Sequence, residues 1–293
     1  MLRSVKSLEG YEACALDGRV GTVADFLFED TSWVVRYLVV KTSSSMVGGR
    51  ALIAPMAFGH VDYSASRFRL LLSMAMVEDS PGMDADAPVS RQKEREYYGY
   101  YGYPLYWNES PEESFGAPAP DAHLRSAREV ADYRIEASDG SIGHVRDVIV
   151  DDDTWAIEYL VVATANGWPA KSVLIAPAWA SRIDWLERRI HVQRTRDEIR
   201  SSPEWTATYP VDRLYAEQLY RHYAGIPGWA GRDRNVLASS ERPRAAEVQL
   251  PRGEKTPEEL LTAANARVAA REEAQVLAAD RAVVADARAG RMP

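Results

Sequence analysis

Trp33–Thr42 reads WVVRYLVVKT and Trp155–Thr164 reads WAIEYLVVAT. One chain writes nearly the same run twice, with Arg36 in the first copy and Glu158 at the matching place in the second. Val, Tyr and Trp at this density favour extended backbone. Sliding the chain against itself by about 122 residues aligns it without a gap from Leu2/Leu124 to Pro81/Pro203, with about three positions in ten identical. LRS meets LRS, Asp17-Gly18 meets Asp139-Gly140, Gly21 meets Gly143, Asp25 meets Asp147, and LIAP at 52–55 meets LIAP at 174–177. The register persists further on, where Val89 matches Val211, Tyr98 matches Tyr220, Tyr101 matches Tyr223 and Trp107 matches Trp229. Each unit is therefore a core of about 80 residues followed by an aromatic strap. Unit 1 spans 1–108 and unit 2 spans 123–230.

Within a unit the pattern is β. An Asp-Gly turn between two extended runs is a strong hairpin signal. Gly21 and Gly143 follow that turn, where a bulge or a close backbone approach needs no side chain. Acidic EDTS and DDDT make the next turn, and the two quoted runs are the third strands. RALIAPMAF and SVLIAPAWA are strands ended by proline, RFRLLLS and RRIHVQR are the last strands, and TRDEIRSSPEW is a helical turn. Five or six short strands in about 80 residues suit a small closed barrel without long unpaired edges. Trp33, Val35, Tyr37 and Val39 share one face, the expected interior. The opposite face, Val34, Arg36, Leu38 and Val40, is too apolar to lie bare in solvent.

The chain has 293 residues, 46% of them hydrophobic, and a formal net charge of −8. That balance argues against a sequence-independent nucleic-acid binder, which needs Lys and Arg to displace counterions from phosphate, and against docking on anionic lipid. Cys14 is the single cysteine, so one chain can build neither a disulfide nor a cysteine-based metal site. The N-terminal stretch has no continuous apolar core of a signal peptide, and no run of about 18 apolar residues occurs. The expected location is the cytoplasm.

On the stretches LRSVKSLEGYEACALDGRVGTVADFLFEDTSWVVRYLVV and HLRSAREVADYRIEASDGSIGHVRDVIVDDDTWAIEYLVV the chain resembles PRC-barrel domains. That fold is shared by the cytoplasmic part of the photosynthetic reaction centre H subunit and the C-terminal domain of a ribosome-maturation factor. The straps REYYGYYGYPLYW and LYRHYAGIPGW look like the tails of stand-alone bacterial PRC-barrel proteins. The resemblance implies two tandem small β-barrels with short helices. It carries no activity, because one fold hosts unrelated roles. Nothing here corresponds to the H subunit's transmembrane helix or to the maturation factor's different N-terminal domain.

Asp25 and Asp147, identical across the repeat, are the metal-ligand or general-base candidates, together with Asp30 and Asp152 beyond the turn. The plainer reading is a carboxylate accepting backbone N–H bonds at a bulge, because hard-cation sites gather more oxygen ligands. DDDT at 151–154 lacks the glycine and distal glutamate of an EF-hand loop and fits turn chemistry better. The five histidines are scattered and match nothing across the repeat, and no nucleophile-elbow, P-loop or dinucleotide motif occurs. No cofactor is implied. The straps supply the partner-binding candidates Tyr98, Tyr101, Tyr103 and Trp107, with Tyr220, Tyr223 and Trp229. The competing role is structural, with the rings laid across a barrel and the hydroxyls tied off.

Two barrels with half-apolar outer faces can bury them against each other around a pseudo-two-fold axis. Equivalent positions then approach, and Arg36 would attract Glu158 where identical charges would repel. Residues 231–255 have the composition of a flexible linker, and 256–288 that of an alanine-rich helix with Thr256, Pro257 and Glu259 as its cap, a solvated, loosely attached helix or, alternatively, a partner-binding or self-associating arm. The function that fits is a non-enzymatic module that binds a protein partner or stabilises an assembly. A small-ligand binder or enzyme using the interbarrel cleft is the alternative, and a ribosome- or RNA-associated factor is disfavoured by acidity.

Overall fold

The Asp-Gly hairpin forms in both units: strands β2 (Glu12–Cys14) and β3 (Arg19–Glu29) in unit 1, β9 (Arg134–Ala137) and β10 (Gly140–Asp151) in unit 2. The computed structural model describes residues 1–42, 49–81, 89–107, 123–164, 171–206, 211 and 213–224. Trp229, the 231–255 linker and the 256–288 helix lie outside these described residues. Asp17 and Asp139 do more than turn the chain. Each carboxylate accepts the first backbone N–H of a later helix, from Met74 at 2.7 Å and Arg196 at 2.8 Å. Those helices are α2 (Met74–Glu78) and α5 (Arg196–Arg200).

The remaining strands of unit 1 are β1 (Leu2–Ser4), β4 (Val35–Thr42), β5 (Arg50–Ile53), β6 (Phe58–Asp62) and β7 (Arg67–Leu70). Those of unit 2 are β8 (Leu124–Ser126), β11 (Ile157–Thr164), β12 (Ser172–Ile175), β13 (Ala180–Asp184) and β14 (Arg189–Val192). Short helices α1 (Val5–Leu8) and α4 (Ala127–Val130) follow β1 and β8, and the straps form helices α3 (Arg91–Tyr101) and α6 (Arg213–Ala224). The molecule is mainly β, and no helix among the described residues is long and apolar enough to cross a membrane.

The sheets are mixed, in the orders β5-β4-β3-β2-β7-β6 and β12-β11-β10-β9-β14-β13, with the β2·β7 and β9·β14 pairs parallel. Neither path is closed by hydrogen bonds between its end strands, contrary to the closed barrel expected from strand number. The break has a local cause. The end strands β5 and β6 are consecutive, and Pro55, which has no N–H to give, turns the chain between them; Pro177 does the same between β12 and β13.

The LRS strands do not join their own sheets. β1 of unit 1 pairs with β10 of unit 2, Leu2 to Asp151, and β8 of unit 2 pairs with β3 of unit 1, Leu124 to Glu29. Each unit thus lends its first strand to the other. At the centre of this exchange Val34 and Ala156, equivalent positions, form an antiparallel bridge, with Val35 N donating to Trp155 O at 2.8 Å and Ile157 N to Trp33 O at 2.7 Å. Trp33 and Trp155 hold φ of 57° and 58° to aim those carbonyls. A left-handed tryptophan costs about 1–2 kcal/mol, which ring burial offsets. Trp155 enters unit 1, 4.9 Å from Phe58 and stacked 6.1 Å from Phe26, while Trp33 reaches Trp185 of unit 2 at 6.1 Å.

One continuous hydrophobic cluster consequently runs through both units, including Phe26, Phe68, Ile135, Leu160 and Ile190. From Tyr37 and Tyr159 onward the expected inside and outside of the third strands are exchanged: Leu160 and Val162 belong to that shared core, whereas Tyr159 and Val161 form a separate cluster with Leu219 and Tyr223 of α6, and Tyr37 packs against Tyr97 and Tyr98 of α3. Both faces are apolar, so alternation could not say which one the strap covers.

Gly21 and Gly143 are where the close approach falls: a Cβ would lie 2.0 Å from the Lys41 carbonyl oxygen and 1.9 Å from that of Ala163. Backbone cannot retreat cheaply, so Gly143→Ala is expected to lower stability in chemical denaturation by at least about 3 kcal/mol, with Gly21→Ala close to it.

Candidate functional site

The exchanged arms are held by the repeated aspartates. β3 and β10 each shift register just before Asp25 and Asp147, and the bulge turns each carboxylate toward the visiting arm. Asp25 accepts the Ser126 hydroxyl at 2.5 Å and the Arg128 backbone N–H at 3.1 Å. Asp147 accepts the Ser4 hydroxyl at 2.5 Å and the Lys6 N–H at 3.1 Å. Ser4 and Ser126 also cap α1 and α4, so one carboxylate, one hydroxyl and one helix end are fixed together. Burial pushes both carboxyls above their ordinary range, and these hydrogen bonds pull back against it. Their oxygens are committed to donors of the chain.

Around each arm runs a second ring of contacts. Arg3 pairs with Asp152 at 3.1 Å and lies 3.8 Å from the centre of the Tyr63 ring; Arg125 pairs with Asp30 at 3.1 Å and lies 4.5 Å from that of Trp185. Side-chain oxygens of Asp151, Asp152 and Asp153 lie within 4.8 Å of one another. The Met1 ammonium group contacts all three, Tyr63 donates to Asp152 at 2.7 Å, and Asp151 accepts the Asp153 and Thr154 N–H groups of its own turn.

The unit 1 strap lies across its own unit as a helix. Ser90 caps it and Gly102 ends it in the left-handed conformation. Spacing of three and four puts Glu94, Tyr97, Tyr98 and Tyr101 on its buried face. Tyr97 donates to Leu52 O and accepts from Ala54 N, both at 3.0 Å; Tyr101 donates to Met76 O at 3.1 Å. Tyr103 stacks on Tyr101 at 5.3 Å, and Tyr98 packs against Tyr37 and Trp107. In unit 2, Tyr223 packs 4.6 Å and Tyr220 6.1 Å from Trp179. Of the partner-binding candidates, then, the described rings are engaged within the fold.

Glu94 is the centre of a buried polar cluster that sequence reasoning did not single out. It is 0% exposed. Its Oε1 accepts from Tyr106 at 2.7 Å and Tyr37 at 3.0 Å, while Oε2 meets His123 Nε2 at 2.6 Å and Arg91 at 3.3 Å. Burial first and the Glu94 charge second push the Tyr37 and Tyr106 hydroxyls well above the usual phenol range, so both stay protonated donors. Arg91 bridges on to Glu29 at 2.9 Å, and Glu29 binds Arg36 at 2.7 Å. The signs alternate along this row, and Arg36 lies 3.9 Å from the centre of the Tyr106 ring. His123 is the residue before β8, and its carbonyl accepts Asp30 N at 2.9 Å. Strap, unit 1 sheet and the entry of the visiting arm therefore meet at one carboxylate.

Arg36 is thus directed to Glu29, Ser32 and Tyr106 of its own unit rather than toward Glu158 across the axis. The axis passes between Val34 and Ala156. Two residues onward, Arg36 and Glu158 have receded to opposite sides, about 13 Å apart along extended backbone. The repeat equivalents of Glu94 and His123 are Ala216 in unit 2 and Met1 in unit 1, so the second copy of this cluster is not built. The signal available was an acid on the tyrosine stripe, three residues before Tyr97.

No family model matches the chain, and no curated protein matches it.

Removing Glu94 takes a buried acceptor from two hydroxyls, the His123 ring and Arg91, which keeps Glu29. Glu94→Ala is expected to cost about 3–5 kcal/mol in urea unfolding, and Glu94→Gln, which keeps acceptors in place, clearly less.

The Glu29 carboxyl gives the pH dependence. Burial raises it, but Arg36, Ser32 and Arg91 outweigh that and bring it from 4.5 to about 2. Its stabilising contribution is complete above 4.5 and disappears as pH falls toward 2. Asp25 and Asp147, shifted upward, act in the opposite sense. Stability measured from pH 6 down to pH 2 should therefore fall less steeply in Glu29→Gln than in the parent chain, and equal slopes would remove Glu29 as the source.

Proposed function

We propose that the chain is a non-enzymatic assembly module of two tandem PRC-type barrel units, a preformed platform for a protein partner. The observation that carries this reading is where the chemistry-bearing side chains point. Asp25, Asp147, Glu94, His123 and the strap tyrosines all hold the chain to itself. Rigid, internally satisfied polar groups suit a scaffold, because catalysis needs a group free to meet a substrate.

The surface supports the same reading. Leu16, Met56 and Leu71 are exposed in unit 1, at places where unit 2 carries Ser138, Ala178 and Gln193. Leu186, in the β13–β14 turn, is 91% exposed. These apolar side chains, present on one copy and not on the other, are contact area that a partner would cover.

The test is capture from a cell extract with the full chain as bait, compared with a bait cut after Trp229, alongside native mass spectrometry of the purified chain. A saturable protein partner retained by the shorter bait is the expected outcome and places recognition on the two units. Loss of that partner with the tail would move recognition to residues 230–293. A bound small molecule with no specific protein would overturn the proposal in favour of ligand binding.

A further inference from the structure

Unit 2 carries a cationic sheet face that its copy does not match. Strands β13, β14, β9 and β10 pair so that Asp184, Arg189, Arg134 and His144 form one cross-strand row, and Arg182, His191, Glu136 and Ser141 the next. Ile135, Ile142, Val145 and Ile190 on the alternate positions are buried, so both rows face outward, and Arg146 continues them along β10. Four arginines and two histidines thus share a face with two carboxylates. Arg182 donates to His191 Nε2 at 3.1 Å, and Arg189 has only Glu187 at 4.0 Å. Among the described residues Arg134, Arg146 and Arg182 form no ion pair.

Unit 1 shows what the same face looks like when neutralised. Its Glu12, at the place of Arg134, binds Arg67 at 3.0 Å and Arg19 at 3.4 Å, and Thr22 and Ala24 stand where unit 2 has His144 and Arg146. The carboxylate that ties off the arginines in one copy is an arginine in the other.

We propose that the outward face of β9, β10, β13 and β14 is the docking surface for an acidic peptide segment of a protein partner; this rests on the module reading above. In a chain of net charge −8, unpaired cations gathered on one sheet attract a local acidic segment by charge complementarity. The face fits peptide better than nucleic acid. Among the described residues its two rows carry no tryptophan, tyrosine or phenylalanine on which a base could stack, only the smaller imidazoles of His144 and His191. Glu136 and Asp184 interrupt it, which opposes a continuous phosphate backbone and accommodates a peptide with charges of its own.

The test uses the full chain and fluorescein-labelled polyglutamate, read by anisotropy. Arg134→Glu, His144→Thr and Arg146→Ala together install the residues unit 1 already carries, so the fold tolerates them; thermal melting checks this. The expected result is binding that weakens as salt rises and is about tenfold weaker in the triple variant. Arg69→Glu on the matching face of unit 1 should leave it unchanged. Absence of binding, or equal binding by the triple variant, overturns the proposal. Tighter binding of a labelled oligonucleotide, lost in the triple variant, overturns it in favour of nucleic acid. The extract capture separates the two levels. A partner held equally by parent and triple variant removes this face but keeps the module, whereas no protein partner for either removes the module reading itself.

Discussion

A carboxylate that accepts a hydroxyl and a backbone N–H from the other half of the molecule is the joint on which this fold turns. Asp25 and Asp147 sit at bulges whose distortion aims them outward, and each receives a serine and a helix start belonging to the other unit. Hydrogen bonds to a charged acceptor are stronger than neutral ones, and here each closes contacts far apart in sequence. With the arms in place, Trp155 can fill the unit 1 interior and a single core can run through both halves. The two units are consequently two sequences and one packing problem.

Duplication left the joint symmetric and let the surroundings diverge. Arg3–Asp152 and Arg125–Asp30 are the same contact made twice. The straps are not: unit 1 secures its strap through Glu94 and a row of alternating charges, unit 2 through Leu219 and Tyr223 against an apolar patch. A buried charge is tolerable only because every oxygen of Glu94 has a donor. An apolar contact asks for no such completeness, which leaves the second strap simpler to build.

Much of this was legible in the residues. The repeat, the Asp-Gly hairpin, the steric demand at Gly21 and Gly143 and the strands ended by Pro55 and Pro177 are local signals with local causes. The bulge carboxylates were legible as to type, since an aspartate midway along a strand needs donors; which donors was not. Leu2–Ser4 is too short to show a period, and its partner lies 149 residues away in Asp151. Nothing in LRS says to which copy it belongs. The inner and outer faces of β4 and β11 were hidden for another reason: both are apolar, and alternation informs only when one face is wet. Arg36 and Glu158 drew attention by their opposite signs, yet charge says nothing about where a two-fold axis passes.

The exchange of first strands also sets an order of events during synthesis. Leu2–Ser4 leaves the ribosome long before its pairing partner, the end of β10, which is made only when residues 149–151 emerge. At about 5–20 residues per second, that interval is on the order of ten seconds or more. Unit 1 meanwhile has neither the visiting strand β8 nor the Trp155 ring that completes its interior. Whatever unit 1 forms before the second copy arrives lacks that strand and leaves the place of that ring, an apolar hole, unfilled. Translation speed through the segment between the copies, and any chaperone that shields that hole, therefore become part of how reliably this chain reaches its native form.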